Sequence, residues 1–97
     1  MELTGKQRAH LRALANGLDT ILYLGKDGIT DSVLREADEL LTKRELIKCA
    51  VQQNAPLSAK EASIEICHRT GASPVQTIGR RFTIFRRNEE EPVIDLP

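Results

Sequence analysis

The chain has 97 residues, 40% of them apolar, and equal numbers of basic and acidic side chains. That length supports one domain with a single core and is too short for two. No apolar run reaches membrane-spanning length, the start Met1-Glu2-Leu3-Thr4-Gly5 lacks the basic and apolar regions of a secretion signal, and Cys49 and Cys67 form no CxxC pair, so a cytoplasmic chain with reduced core thiols is expected.

The neutral total hides an uneven distribution. All 14 Lys and Arg lie between Lys6 and Arg87, against nine acids, which leaves that stretch at +5; Glu89, Glu90, Glu91 and Asp95 make the end acidic. Attraction of phosphate depends on local clustering of charge, so a polyanionic partner stays open. Residues 1–88 are read as the folded domain and 89–97 as an acidic tail, expected to be solvated and disordered or else to screen the basic surface.

Thr4 with Gln7 forms a capping-box pair that opens a first helix. Leu11, Leu14, Ala15 and Leu18 follow at helical spacing, and Asn16-Gly17 ends the pattern after about three turns. Arg8 and Arg12 share one flank of that stripe and Lys6 lies on the other. Asp19 to Leu24 reads as a strand with both faces apolar, which predicts a central strand covered on both sides, with Tyr23 inside the sheet.

Gly25-Lys26-Asp27-Gly28 comes next. Two glycines spaced by two polar residues let a main chain approach a ligand closely, and the helix that follows points free N–H groups and its positive dipole end the same way. Phosphate suits such a turn, with Lys26 favouring it and Asp27 opposing it. A tight turn with glycines needed only for their dihedrals fits the same residues.

Thr30 caps a second helix that carries Val33, Leu34, Ala37, Leu40 and Leu41 on one face. Leu46 to Val51 is β-rich and completes a βαβ unit with a right-handed crossover. Ser58 with Glu61 opens a third helix that Gly71 terminates. Pro74 to Ile78 and Arg81 to Phe85, broken by Gly79-Arg80, read as an antiparallel hairpin. The predicted fold is a single layered α/β domain, in the order α-β-α-β-α-β-β, with a mixed four-stranded sheet.

Arg80, Arg81, Arg86 and Arg87 bracket the last strand. Their planar donor forks suit phosphate oxygens, and the same charges would also protect an edge strand from self-pairing. Tyr23, Phe82 and Phe85 are the only aromatics, too few for a sheet that binds through stacking platforms; Phe82 is assigned to the core and Phe85 to either environment. His10 and His68 are read as structural, the Cys and His spacing fits no zinc site, and no nucleophile, nucleotide-loop or dinucleotide motif occurs. No catalytic residue, metal or cofactor is therefore expected.

Leu3-Thr4-Gly5-Lys6-Gln7-Arg8, Leu24-Gly25-Lys26-Asp27-Gly28-Ile29-Thr30, Glu45-Leu46-Ile47-Lys48 and Val75-Gln76-Thr77-Ile78-Gly79 with Ile84-Phe85-Arg86 resemble the CRM domain family, in its stand-alone bacterial YhbY-type form. The resemblance spans about residues 3 to 87 and implies a non-enzymatic RNA-binding protein with a fold similar to the C-terminal domain of translation initiation factor three. It further implies association with ribosomal RNA in precursors of the large ribosomal subunit. The family's GxxG loop falls on Gly25, Lys26, Asp27 and Gly28, and its basic surface on Lys6, Arg8, Arg12 and Arg86; Arg80, Arg81 and Arg87 join from local charge alone. Ile84-Phe85-Arg86 departs from the family's Leu-Tyr-Arg by a missing hydroxyl. No heptad or long apolar strand edge calls for self-association, so a monomer is expected, with no small-molecule substrate; an adaptor that docks on a ribosomal protein or assembly factor is the alternative.

Overall fold

A computed structural model describes every residue from Met1 to Pro97 as α1 (Gly5–Ala15), β1 (Thr20–Leu24), α2 (Asp31–Arg44), β2 (Leu46–Val51), α3 (Ala59–Thr70), β3 (Ser73–Ile78) and β4 (Arg81–Phe85). The predicted order of elements is therefore observed. The four strands form one sheet in the order β1-β2-β4-β3, with β1 parallel to β2 and the other pairs antiparallel. No helix is long and apolar enough to cross a membrane.

Local sequence signals set the helix ends. Thr4 and Gln7, and Ser58 and Glu61, bond reciprocally as capping boxes, Thr30 accepts from the Val33 N–H, and Gly71 ends α3 at φ 78°. The hairpin turn Gly79-Arg80 places glycine, at φ 58°, first of its two central residues, as a type II′ turn requires. Pro74, which cannot donate to a ladder, sits on the edge strand β3.

The two faces of the sheet are covered unequally. Leu22, Leu24, Ile47, Cys49, Val51, Phe82 and Ile84 pack on Ala37 and Leu41 of α2 and on Ala59, Ala62, Ile66 and Cys67 of α3, forming the main core. Burial pushes the Cys49 thiol up to about 12 and the Cys67 thiol up to about 11, so both are protonated, inaccessible groups at neutral pH. On the opposite face α1 covers one end only, where Leu11 and Ala15 pack with Leu46, Val75 and Phe85. Phe85 as well as Phe82 therefore belongs to the core.

Two expectations change here. β1 is an edge strand, and Tyr23 is 56% exposed because α1 does not extend over it. Leu14 and Leu18 are 40% and 37% exposed: the side of α1 that meets the sheet is the Leu11–Ala15 line.

The acidic end also departs from expectation. It folds back on the domain, with Ile94 and Leu96 packed against the second cluster and the Gln7 side chain donating to the Pro97 carbonyl. The fastening is Glu45, fully buried at the C-cap of α2 with φ 64°. Its carboxylate accepts from the N–H groups of Asn88, Val93 and Ile94 at 2.7, 2.7 and 2.8 Å and from the Arg87 guanidinium at 3.1 and 3.2 Å. Burial alone would raise its pKa, but the Asn88, Ile94 and Val93 N–H groups and Arg87 outweigh burial and hold it below the ordinary 4.5.

A non-glycine residue at this φ costs about 1–3 kcal/mol, so the side chain at position 45 must return more than its backbone loses. Glu45→Ala should lower the unfolding free energy by about 3–5 kcal/mol, since it removes the counter-charge of the partly buried Arg87 and leaves the Asn88, Val93 and Ile94 N–H groups without their acceptor. Glu45→Gly should cost roughly 1 kcal/mol less, through relief of the backbone; urea denaturation of both variants checks the order. Because the folded pKa is depressed, this contribution is complete above 4.5 and is lost as pH falls through the folded value. In an NMR titration the Asn88, Val93 and Ile94 amides should shift together, with a midpoint below 4.5.

Candidate nucleic-acid interface

β1 and β2 finish, and β4 begins, at the same end of the sheet, so three connections meet there: Gly25–Gly28, the loop after Val51, and the Gly79-Arg80 turn. Main-chain bonds knit them together. The Gln52 N–H donates to the Leu24 carbonyl at 2.7 Å, and the Val51 N–H to the Arg80 carbonyl at 2.8 Å.

The two glycines of the GxxG turn have different functions. Gly28 closes the turn by donating to the Gly25 carbonyl at 3.0 Å, at φ 65°, and a Cβ there would lie 3.1 Å from Pro56 Cγ. It is buried and shapes the turn without facing solvent. Gly25 leaves room for the Gln52 side chain, whose Oε1 would stand 2.9 Å from an added Cβ. Lys26 and Asp27 are exposed between them, and their N–H groups, with those of Asp31 and Ser32 at the start of α2, meet no acceptor in the chain. Two free N–H groups on the turn and two at the N-terminus of α2 are donors of the kind that bind anionic oxygens.

Beside this turn lies the half of the sheet that α1 leaves uncovered. Strand register places Tyr23, Ala50, Arg81 and Ile78 in one row across the sheet, and Thr20, Lys48, Thr83 and Gln76 in the next. Asn16, Lys48, Gln76, Ile78, Arg80, Arg81 and Thr83 line one groove here, and Tyr23, Lys48, Arg81 and Asp19 border its continuation toward β1. Neither row holds a carboxylate. Lys26, Lys48, Arg80 and Arg81 have no acidic partner within 4.0 Å.

α1 forms the far wall. Arg8, Arg12 and Asn16 follow at intervals of four residues along one helical line; Arg8 Nε reaches the Pro74 carbonyl of β3 at 3.4 Å, and Asn16 lines the groove. Arg12, exposed between them, faces the same side. Lys6 is two residues from Arg8, about 200° around the helix, and points elsewhere.

Arg86 and Arg87 do not belong to this surface. The Arg86 guanidinium bonds to the Asp38 carboxylate at 2.7 Å and also to the carbonyls of Asp38 and Thr70 and the Thr42 hydroxyl, tying β4 to the ends of α2 and α3. Arg87 is fixed on Glu45 and the Ile94 carbonyl, with its guanidinium 5.9 Å from the Phe85 ring centre. Both lie where β4 ends, at the opposite end of the sheet from the GxxG turn. The family resemblance places Arg86 on the basic surface and local charge adds Arg87, yet a five-residue strand spanning about 17 Å separates both from Arg80 and Arg81. Sequence reasoning missed Lys48 and Tyr23, and the alternation of Lys48 with the buried Ile47 and Cys49 was the available signal.

The model of the CRS1 / YhbY (CRM) domain family matches residues 3–86. The chain is 35% identical over 95 residues to a Bacillus subtilis protein named "Probable RNA-binding protein YqeI", covering 98% of this chain and 99% of that one. It is 38% identical over 96 residues to an RNA-binding protein of Haemophilus influenzae, covering 98% and 95%. Among solved structures, that of the hypothetical protein SAV1595 from Staphylococcus aureus superposes with a TM-score of 0.82 at 40% identity, covering 99% of this chain and all of that one.

The contrast between fixed and free arginines is testable by a charge-conserving change. Arg86→Lys keeps the charge but cannot make the forked contacts, and should cost about 1.5–3 kcal/mol. Arg81→Lys, at a site with no partner, should stay within about 0.5 kcal/mol of the parent protein in the same urea titration.

Proposed function

Because the chain belongs to the CRS1 / YhbY (CRM) domain family, we propose that it is a non-enzymatic, monomeric RNA-binding protein of the cytoplasm. In this reading it engages ribosomal RNA in precursors of the large ribosomal subunit and assists their assembly. The observation that carries it is the continuity of one surface: the unpaired N–H groups of the GxxG turn adjoin an open sheet half lined by Lys48, Arg80 and Arg81, none with an acidic partner, where Asp19 at the β1 border is the single carboxylate. The names of the two bacterial relatives, both RNA-binding proteins, support the same partner class.

The mechanism is cumulative electrostatics. Each helix-terminus contact contributes about 0.3–1 kcal/mol, so several phosphates must be held together by the turn and by Lys26, Lys48, Arg80, Arg81 and Arg12. Gly25 and Gly28 act by shaping the turn, and Asp27, exposed at its tip, must point away from a bound phosphate.

A second reading draws on a different observation. Leu14, Leu18 and Val93 are exposed together beside Lys43 and Arg44, an apolar cleft suited to docking on a ribosomal protein or assembly factor.

Filter binding to large-subunit ribosomal RNA over a salt series separates the two. Neutralisation of about five phosphates on a single strand gives a slope of log affinity against log salt of about −3.5, and Lys26→Ala or Arg80→Ala should each reduce its magnitude by about 0.7. A flat dependence or no retention would leave the docking cleft as the better account.

A further inference from the structure

The open rows of the sheet contain more than charge. Tyr23 is a large, flat, amphipathic side chain more than half exposed on an edge strand, with its hydroxyl bonded to nothing in the chain. A lone exposed tyrosine would need no explanation. Its neighbours along the row supply one: Ala50 lies directly beside it on β2, and Arg81 beyond that on β4.

Adjacent strands are about 4.8 Å apart, so Tyr23 and Arg81 stand about 10 Å apart at their Cα positions with only a methyl group between them. A flat ring held on both sides needs two contacts of about 3.5 Å. Arg81 does not fold over the tyrosine to close this gap; the cation–π contact in the molecule is Arg87 with Phe85. Lys48, in the adjoining row, lines one groove with Tyr23 and Arg81, Asp19 stands at its border, and Ala50, only 8% exposed, lies beneath these side chains.

We propose that Tyr23, Ala50, Arg81 and Lys48 form a stacking slot for one unpaired nucleobase, which makes the ligand of this surface single-stranded RNA. This rests on the RNA-binding reading above and specifies its substrate class. Tyr23 lies two residues before Gly25, about 7 Å along the strand, so a chain with a phosphate on the turn has a neighbouring base over the ring. Charge favours a nucleic acid over a protein as occupant, because Lys48 and Arg81 carry no acidic partner and outnumber Asp19, the single carboxylate at the border of the groove. An A-form duplex stacks its bases internally and presents only grooves and backbone, so it cannot fill the slot.

The composition supplies the probe: Tyr23 is the only tyrosine and the chain has no tryptophan, so all intrinsic fluorescence excited in the tyrosine band comes from this ring. The full chain is titrated with an oligoadenylate decamer, and with the same decamer paired to oligouridylate. Single strands should quench the emission by half or more and the duplex by less than a tenth. By filter retention Tyr23→Ala should weaken single-strand binding about 5- to 100-fold, and Tyr23→Phe by less than about twofold, since stacking needs the ring and not the hydroxyl.

Unchanged fluorescence at saturating RNA, equal quenching by the duplex, or an oligoadenylate unable to compete with ribosomal RNA would each overturn the slot while the RNA-binding reading stands. Loss of retention for every RNA tested would overturn both.

Discussion

A buried carboxylate with four donor groups organises one end of this molecule. Glu45 stands where α2 gives way to β2, its N–H still bonded to the Leu41 carbonyl and its own carbonyl accepting from the Arg86 N–H. Its side chain gathers Arg87, Asn88, Val93 and Ile94. A glycine would suit the backbone better at φ 64°, but it would leave these donors unpaired in the interior. The terminal segment thus stays on the domain through one ionised group, helped by Ile94 and Leu96 in the apolar cluster.

This arrangement divides the basic residues. Arg86 and Arg87, held by acceptors from α2, α3 and the terminal segment, fix the end of the sheet that α1 covers. Lys26, Lys48, Arg80 and Arg81 are left without acidic partners near the GxxG turn. The +5 stretch therefore contains basic residues of different standing, Arg86 and Arg87 tied to acceptors in the fold and Lys26, Lys48, Arg80 and Arg81 without acidic partners. A total charge cannot distinguish them; a list of partners can.

The legible part of the fold was the part written in local chemistry. Capping boxes at Thr4 and Ser58, Thr30 at the N-cap, Gly71 beyond α3 and Gly79 in the hairpin each require only a few neighbouring residues, and all appear where their residue types place them. Strand order, and which sheet face a helix covers, depend on packing between distant segments. The run Ile21-Leu22-Tyr23-Leu24 looks apolar on both faces, but α1 stops short of it and leaves Tyr23 in solvent. The acidic end was misread for a similar reason: its charges are solvated, while alternate apolar residues and backbone N–H groups make the attachment. For the site, the turn was readable as a motif. The open rows beside it emerge only from the register of β1, β2, β4 and β3.

The construction of the turn bears on how it would recognise a ligand. Gly28 is packed under Pro56 and Leu57, and Leu24 is bonded to Gln52, so the geometry of the turn is set by the loop between β2 and α3 and does not have to be organised on binding. Preorganised donors avoid the ordering cost that a flexible loop would incur. Main-chain N–H groups and unpaired cations follow a path of phosphates and carry no information about base identity. Stacking tolerates any base as well. What such a surface can discriminate is the shape of the strand: whether a phosphate and its neighbouring base reach the turn and the adjacent row together, which an exposed single strand permits and a closed helix does not.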